Sequence, residues 1–167
     1  MNVIKKRAVL FVCTGNICRS VTAEGVFRKM VRDVGLEAHF HIDSAGTQGY
    51  HVGDEPDLRS QHAAGKRGYD LSQLRARKVE KADFERFDLI LAMDDDHHRI
   101  LSRMAPPEHA HKLKMILSYA KDCAHREVPD PYYGGPDGFE LVLDLLEQAS
   151  AELLNEIRAE LEASSNA

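Results

Sequence analysis

The stretch Val9-Leu10-Phe11-Val12-Cys13-Thr14-Gly15-Asn16-Ile17-Cys18-Arg19-Ser20 constrains this chain more than any other, because a short polar loop joins an apolar run to an amphipathic segment. The β-branched and aromatic residues from Ala8 to Val12 suit a buried strand. Ser20 is placed to cap a helix in which Ala23, Phe27, Met30, Val31 and Val34 recur at helical spacing until Gly35 ends the pattern. Gly15 supplies a turn where a Cβ would obstruct. Strand, loop and helix in this order curl successive backbone N–H groups around one centre at the positive end of a helix, a site for a tetrahedral oxyanion.

A cysteine opening that loop and an arginine closing it add chemistry. The field that attracts an anion also favours a thiolate, which makes Cys13 a candidate nucleophile. Arg19 offers a planar fork to two phosphoryl oxygens, tightening as the transferred group becomes trigonal, and lysine has no such fork.

The loop from Cys13 to Ser20, directly after a strand near the N-terminus, resembles the signature loop of the low-molecular-weight protein tyrosine phosphatases. Asp43-Ser44-Ala45-Gly46-Thr47, Phe87-Asp88-Leu89-Ile90-Leu91-Ala92-Met93-Asp94 and Asp130-Pro131-Tyr132-Tyr133-Gly134 stand in the family's order and spacing, so the resemblance, to a bacterial-type member, covers nearly the whole chain. It implies hydrolysis of phosphotyrosine and aryl phosphate monoesters through a phosphocysteine intermediate, with no metal and no cofactor. Cys13 would be the nucleophile, Arg19 the transition-state clamp and Asp130 the general acid. Thr14, Gly15, Asn16, Ile17, Cys18 and Ser20 would complete the phosphate cradle. The resemblance further implies that Ser44 supports Asn16 and Ser20, that Tyr50, Tyr132 and Tyr133 wall an aryl ring, and that Cys18 captures an oxidised Cys13 as a reversible redox latch. A phosphotyrosine protein would be the partner; bacterial relatives often act on an autophosphorylated tyrosine kinase. The family commonly places a histidine where this chain has Leu74, leaving Asn16 to rely on Ser20, Ser44, water or backbone.

Elsewhere, Ala38 to Ile42 alternates like a strand with one buried face, Leu89 to Met93 and Leu113 to Leu117 read as further strands, and Pro56-Asp57 opens a helix to Lys66 or Arg67 before Gly68. A short helix runs from Glu80 past Phe84 and Phe87. Asp94-Asp95-Asp96 reads as the start of a helix through Ile100, Leu101 and Met104 in preference to a magnesium site. The last helix is expected after Asp137, in a capping box with Glu140, with Phe139, Val142, Leu146, Leu153, Ile157 and Leu161 on its apolar side and fraying from Ala163. Strands separated by helical segments predict an α/β fold of three layers, a four-stranded, mostly parallel sheet with helices on both faces. Pro129 and Pro131 stiffen the loop around Asp130, although an Asp-Pro pair by itself is an ordinary turn element.

With 167 residues, 43% of them hydrophobic, the sequence fits a single domain spanning 1–167 with a frayed tail at 164–167. A net charge of −5 argues against nucleic-acid binding. No apolar run reaches membrane-spanning length, and Lys5-Lys6-Arg7 leads only into the short strand, so a cytoplasmic protein without membrane insertion is expected. Three cysteines, two of them in the loop, suit a reducing compartment, and the absence of a mid-chain cysteine pair disfavours a thioredoxin-coupled arsenate reductase. A phosphopeptide-binding module without turnover would need neither Cys13 nor Asp130. The nine histidines, scattered and without ligand spacing, read as surface residues.

Overall fold

The structure, a computed structural model, describes residues 5–165. Four strands, β1 (Arg7–Cys13), β2 (Phe40–Gly46), β3 (Leu89–Ala92) and β4 (Leu113–Met115), form a wholly parallel sheet in the order β2-β1-β3-β4. The helices are α1 (Arg19–Asp33), α2 (Leu58–Lys66), α3 (Asp83–Arg86), α4 (Asp95–Met104) and α5 (Pro136–Ser165). β1 is central, and its apolar run is continuous because both of its faces are covered. Val9, Phe11 and Cys13 face a core shared with α1 and α5, whereas Ala8, Leu10 and Val12 face one built from Phe84, Phe87, Ile90 and Leu101. α2 closes a third cluster against α1 and α5 through Ala63, Ala64, Val26, Phe139 and Leu143. These are the three layers expected.

Topology sets the position of the site. The chain leaves β1 to form β2 on one side and then crosses to form β3 on the other, so its direction of winding switches beside β1. In open α/β sheets the crevice at such a point, beyond the carboxyl ends of the strands, collects ligands. Here it lies between Cys13, the last residue of β1, and Asp94, just past β3.

Several boundaries differ from the sequence expectations. Cys18, not Ser20, takes the N-cap position of α1, because the Ser20 hydroxyl is engaged with Asn16 and Cys13 inside the loop. Ala38 and His39 belong to a 3-10 turn, and β4 stops at Met115 where a 3-10 turn, Ile116–Tyr119, is tied back by Ser118 Oγ to the Met115 carbonyl. The short helix α3 begins at Asp83 because its carboxylate turns back to accept from Glu80 N. α5 starts at Pro136, whose fixed φ suits the first helical position, and Asp137 lies in the first turn. It continues to Ser165 and does not fray at Ala163, since good helix formers fill its end and Arg7 pairs with Glu160. Residues 166 and 167 of the expected tail lie outside the described residues.

Candidate active site

The loop after β1 is braced from beneath by backbone. Thr47 N donates to Cys13 O (2.9 Å) and Gln48 N to Thr14 O (3.0 Å), which brings the end of β2 hard against the loop. Gly46 permits this approach: a Cβ there would stand 2.6 Å from Thr14 O and 3.1 Å from Gly15 C, both immovable backbone atoms. A Cβ on Gly15 would instead meet the His51 ring at 2.9 Å, and the loop's left-handed residue is Asn16, at φ 58°. The turn expected of Gly15 is therefore made by Asn16, a residue type that tolerates this region when its side chain bonds locally.

Asn16 is wholly buried, and all three of its hydrogen-bonding partners are protein. Its Nδ2 donates to Ser20 Oγ (2.7 Å) and Ser44 Oγ (2.9 Å), while Oδ1 accepts from Arg77 N (3.0 Å). Neither water nor a histidine at Leu74 is needed to satisfy it. Ser20 Oγ receives one of these bonds, so its own proton is free for Cys13 Sγ, 3.0 Å away. Ser44 passes its proton to Glu24 Oε1 (2.7 Å), and Glu24 Oε2 accepts from Arg28 Nε (2.8 Å). Burial pushes the Glu24 carboxyl above the usual range, and the bonds from Ser44 and Arg28 oppose that rise. A chain of fixed polar groups thus runs from Arg28 to the sulfur.

Arg19 is buried, and both N–H groups of its Nη1 are committed: to Asp94 Oδ2 (2.8 Å) and to Val128 O (2.9 Å). Nε and Nη2 form the edge left for an anion. Asp94 also caps α4 by accepting from His97 N (2.9 Å). Burial raises the Asp94 carboxyl, but the His97 and Arg19 bonds outweigh it and hold the group below the ordinary carboxylate range. Asp95 and Asp96 turn away to Arg126 and Arg99, so the acidic run disperses in three directions from a helix start.

Among the described residues, no backbone N–H from Thr14 to Cys18 donates to another protein group. Five donors therefore remain at the start of α1, as an oxyanion cradle requires. The cleft above holds about 310 Å3 and is lined by Cys13, Thr14, Gly15, Ile17, Cys18 and Arg19 from the loop, Tyr50 and His51 from the segment after β2, and Asp130, Tyr132 and Tyr133 from the loop before α5. A larger groove of about 580 Å3, lined by Lys114, Tyr119 and the Lys121–Glu152 ion pair among others, has no cysteine in its lining. Asp130 Oδ2 stands 3.8 Å from Arg19 Nη2, and its Oδ1 accepts from Tyr132 N (3.0 Å). The rings of Tyr132 and Tyr133 meet edge to face at 5.0 Å. Arg59 donates to Tyr132 O (3.0 Å) and lies over both Tyr132 and Phe139. Cys18 is buried, which pushes its thiol up to about 12 against an opposing pull from Ser60. All three cysteines are free.

Every residue the sequence nominated is therefore either in the cleft or in the polar chain beneath it. The second role of Asp94, the polar partners Glu24 and Arg77, and the close approach at Gly46 were not nominated. His97 corrects the expectation of surface histidines: it is buried against Thr14 and Arg19 because the first turn of α4 descends onto the loop. Its place three residues after the aspartate that follows the predicted strand was the available signal.

The family profile described as Low molecular weight phosphotyrosine protein phosphatase matches residues 8–163. A low molecular weight protein-tyrosine-phosphatase of Streptomyces coelicolor is 46% identical over 92% of this chain and 95% of its own. The crystal structure of a protein tyrosine phosphatase from Entamoeba histolytica, with Hepes in its active site, superposes with a TM-score of 0.90 at 38% identity, over 93% of this chain and 99% of that one. That of DARP, a Drosophila arginine phosphatase, gives 0.84 at 31% identity over 89% and 96%. The extent of these matches and the loop geometry agree: the chain belongs to the low molecular weight phosphotyrosine protein phosphatase family, cysteine-dependent enzymes that work through a phosphocysteine.

Proposed function

We propose that Cys13, Arg19 and Asp130 carry out the two displacement steps of this phosphatase within a single domain. Cys13 Sγ attacks phosphorus in line; the bond to the leaving oxygen breaks, and Asp130 delivers its proton to that oxygen. The free N–H groups of the loop and the Nε/Nη2 edge of Arg19 take the equatorial oxygens, whose charge grows in the transition state. Asp130, now a carboxylate, removes a proton from water as that water attacks the phosphocysteine, releasing inorganic phosphate and the Cys13 thiolate. The observation that carries this assignment is the set of five uncommitted N–H groups between a cysteine and a buried arginine, with a carboxylate facing them.

Substrate choice follows from the walls. Tyr50 and Tyr133 are exposed and Tyr132 is partly so, flat surfaces that suit the ring of phosphotyrosine better than the flexible chain of phosphoarginine or the short phosphoserine. We assign the protein to the cytoplasm, acting on phosphotyrosine proteins, with an autophosphorylated bacterial tyrosine kinase as the proposed partner. No described helix is long and apolar enough to cross a membrane. Cys18 is proposed as the resolving thiol: once a peroxide oxidises Cys13 to the sulfenic acid, the Cys18 thiol condenses with it, its proton leaving with the sulfenic hydroxyl as water, and a dithiol reductant reverses the disulfide.

Phosphate release from an aryl phosphate, a phosphotyrosine peptide and a phosphoarginine peptide tests these assignments. Turnover by wild type of the first two, abolished in Cys13→Ser and slowed in Asp130→Asn, is the expected result. Turnover that survives Cys13→Ser would overturn the nucleophile, and preference for phosphoarginine would overturn the reading of the walls.

A further inference from the structure

The buried imidazole of His97 has no part in the steps above, yet it touches the loop at both ends. Its Nε2 lies 2.7 Å from Thr14 Oγ1, one residue after the nucleophile, and 3.4 Å from Arg19 Nη2. Its Nδ1 is buried and lies 3.1 Å from Asp94 Oδ1, off the line of a regular hydrogen bond. A guanidinium only donates, so the nitrogen that faces it must present a lone pair. Nε2 is therefore unprotonated, the Thr14 hydroxyl donates to it, and the ring's single proton sits on Nδ1 beside the Asp94 carboxylate.

We infer that His97 is a positioning residue: as a neutral imidazole protonated at Nδ1, it fixes the Arg19 fork and the Thr14 end of the cradle through the lone pair of Nε2. The assignment rests on the phosphatase reading of Arg19 given above. A second proton on Nε2 would point at the guanidinium. Burial first, and then the Arg19 charge, push the imidazole down to about 4, against the opposing pull of Asp94, Asp96 and Asp130, so the ring stays neutral at ordinary pH. Asp94 and His97 thus divide the work: the carboxylate holds Nη1 through a charge-assisted bond, and the imidazole stands behind Nη2, the side that meets the phosphoryl group.

Two readouts test this on the full chain. Long-range 1H–15N correlation of the histidine rings at neutral pH should show His97 with a bare Nε2 and a protonated Nδ1; a proton on Nε2 would overturn the inference. In kinetics, His97→Leu should lower kcat on an aryl phosphate and weaken vanadate binding by similar factors, about 10–100-fold, with KM moving less. His97→Gln, whose side-chain oxygen reaches the place of Nε2, should recover most of both. A folded His97→Leu protein with wild-type kcat and vanadate affinity, or a Gln variant as impaired as Leu, would contradict it. Were Leu to unfold, the Gln variant and the ring spectrum still decide. Wild type that neither releases phosphate nor binds vanadate would sink the phosphatase reading itself, while the ring spectrum would still report on His97.

Discussion

The two loops that face each other across the cleft are built in opposite ways. Cys13, Asn16, Arg19 and Ser20 are buried, and each of them is held by side chains drawn from at least one other element. The loop that carries Asp130 is exposed, with its acid about half open to solvent, and two arginines pin it at its ends: Arg19 at Val128 O and Arg59 at Tyr132 O. The contrast fits the roles proposed for each group. Charge developing on phosphorus is best met by dipoles already fixed in place, because reorganising them during the reaction costs free energy. A general acid must meet a leaving group that arrives with the substrate and departs from the same mouth, so it belongs on the open side.

Substitutions on the two sides should therefore fail differently. The largest effect is expected from Cys13→Ser, which removes the proposed nucleophile and should cut phosphate release by at least about 10⁴-fold while leaving the binding of inorganic phosphate in place. Arg19→Lys keeps the charge but loses the fork that satisfies Asp94, Val128 O and the anion together; kcat should fall by about 10²–10³-fold and thermal stability should fall with it. Asp130→Asn should slow turnover by about 10²-fold with an alkyl-like leaving group and less with a nitrophenolate that departs unaided, at unchanged stability, as measured by kcat across a leaving-group series and by thermal unfolding. A stability loss in Asp130→Asn comparable to that of Arg19→Lys would erase the distinction between the loops.

Smaller effects sharpen the same contrast through pH. The Asp94 carboxyl lies below its ordinary value in the folded protein, so it adds stability above the unfolded carboxylate value of about 4, and that stability is lost as the pH falls through the folded value. Denaturant titrations of wild type and Asp94→Asn should accordingly differ at neutral pH and converge in acid. Alkylation offers the mildest probe. With its thiol pushed up to about 12 by burial, Cys18 stays protonated at neutral pH, and iodoacetate should modify Cys13 and spare Cys18, as peptide mapping would show.

Much of the geometry around Cys13 was legible because it is local. A strand, a Cys-x5-Arg loop and a helix follow one another within twenty-seven residues from Arg7 to Asp33, and period and spacing were enough to set Cys13 and Arg19 at the two ends of one loop. What escaped was set by strand order. Asp94 meets Arg19 only because β3 lies beside β1, and Gly46 matters only because β2 flanks it on the other side; neither neighbour can be read from a linear pattern. His97 was hidden for a related reason: in Asp94-Asp95-Asp96-His97-His98 every residue is polar, and periodicity built on apolar positions cannot tell the histidine turned inward from the one beside it. Ser20 was misread as a cap because a serine at a helix start has an ordinary role there, while its actual partners, Cys13 and Asn16, lie on the loop behind it.

The proposed mechanism passes through a covalent intermediate at Cys13, and rapid quenching can reveal it. Wild type and Asp130→Asn would be mixed with excess aryl phosphate, stopped in acid within milliseconds to seconds, digested and mapped by mass spectrometry. One phosphoryl group on the peptide containing Cys13, accumulating further in Asp130→Asn because the base for its hydrolysis is gone, is the predicted result. Turnover in wild type without any phosphorylated Cys13 peptide in either protein would contradict it.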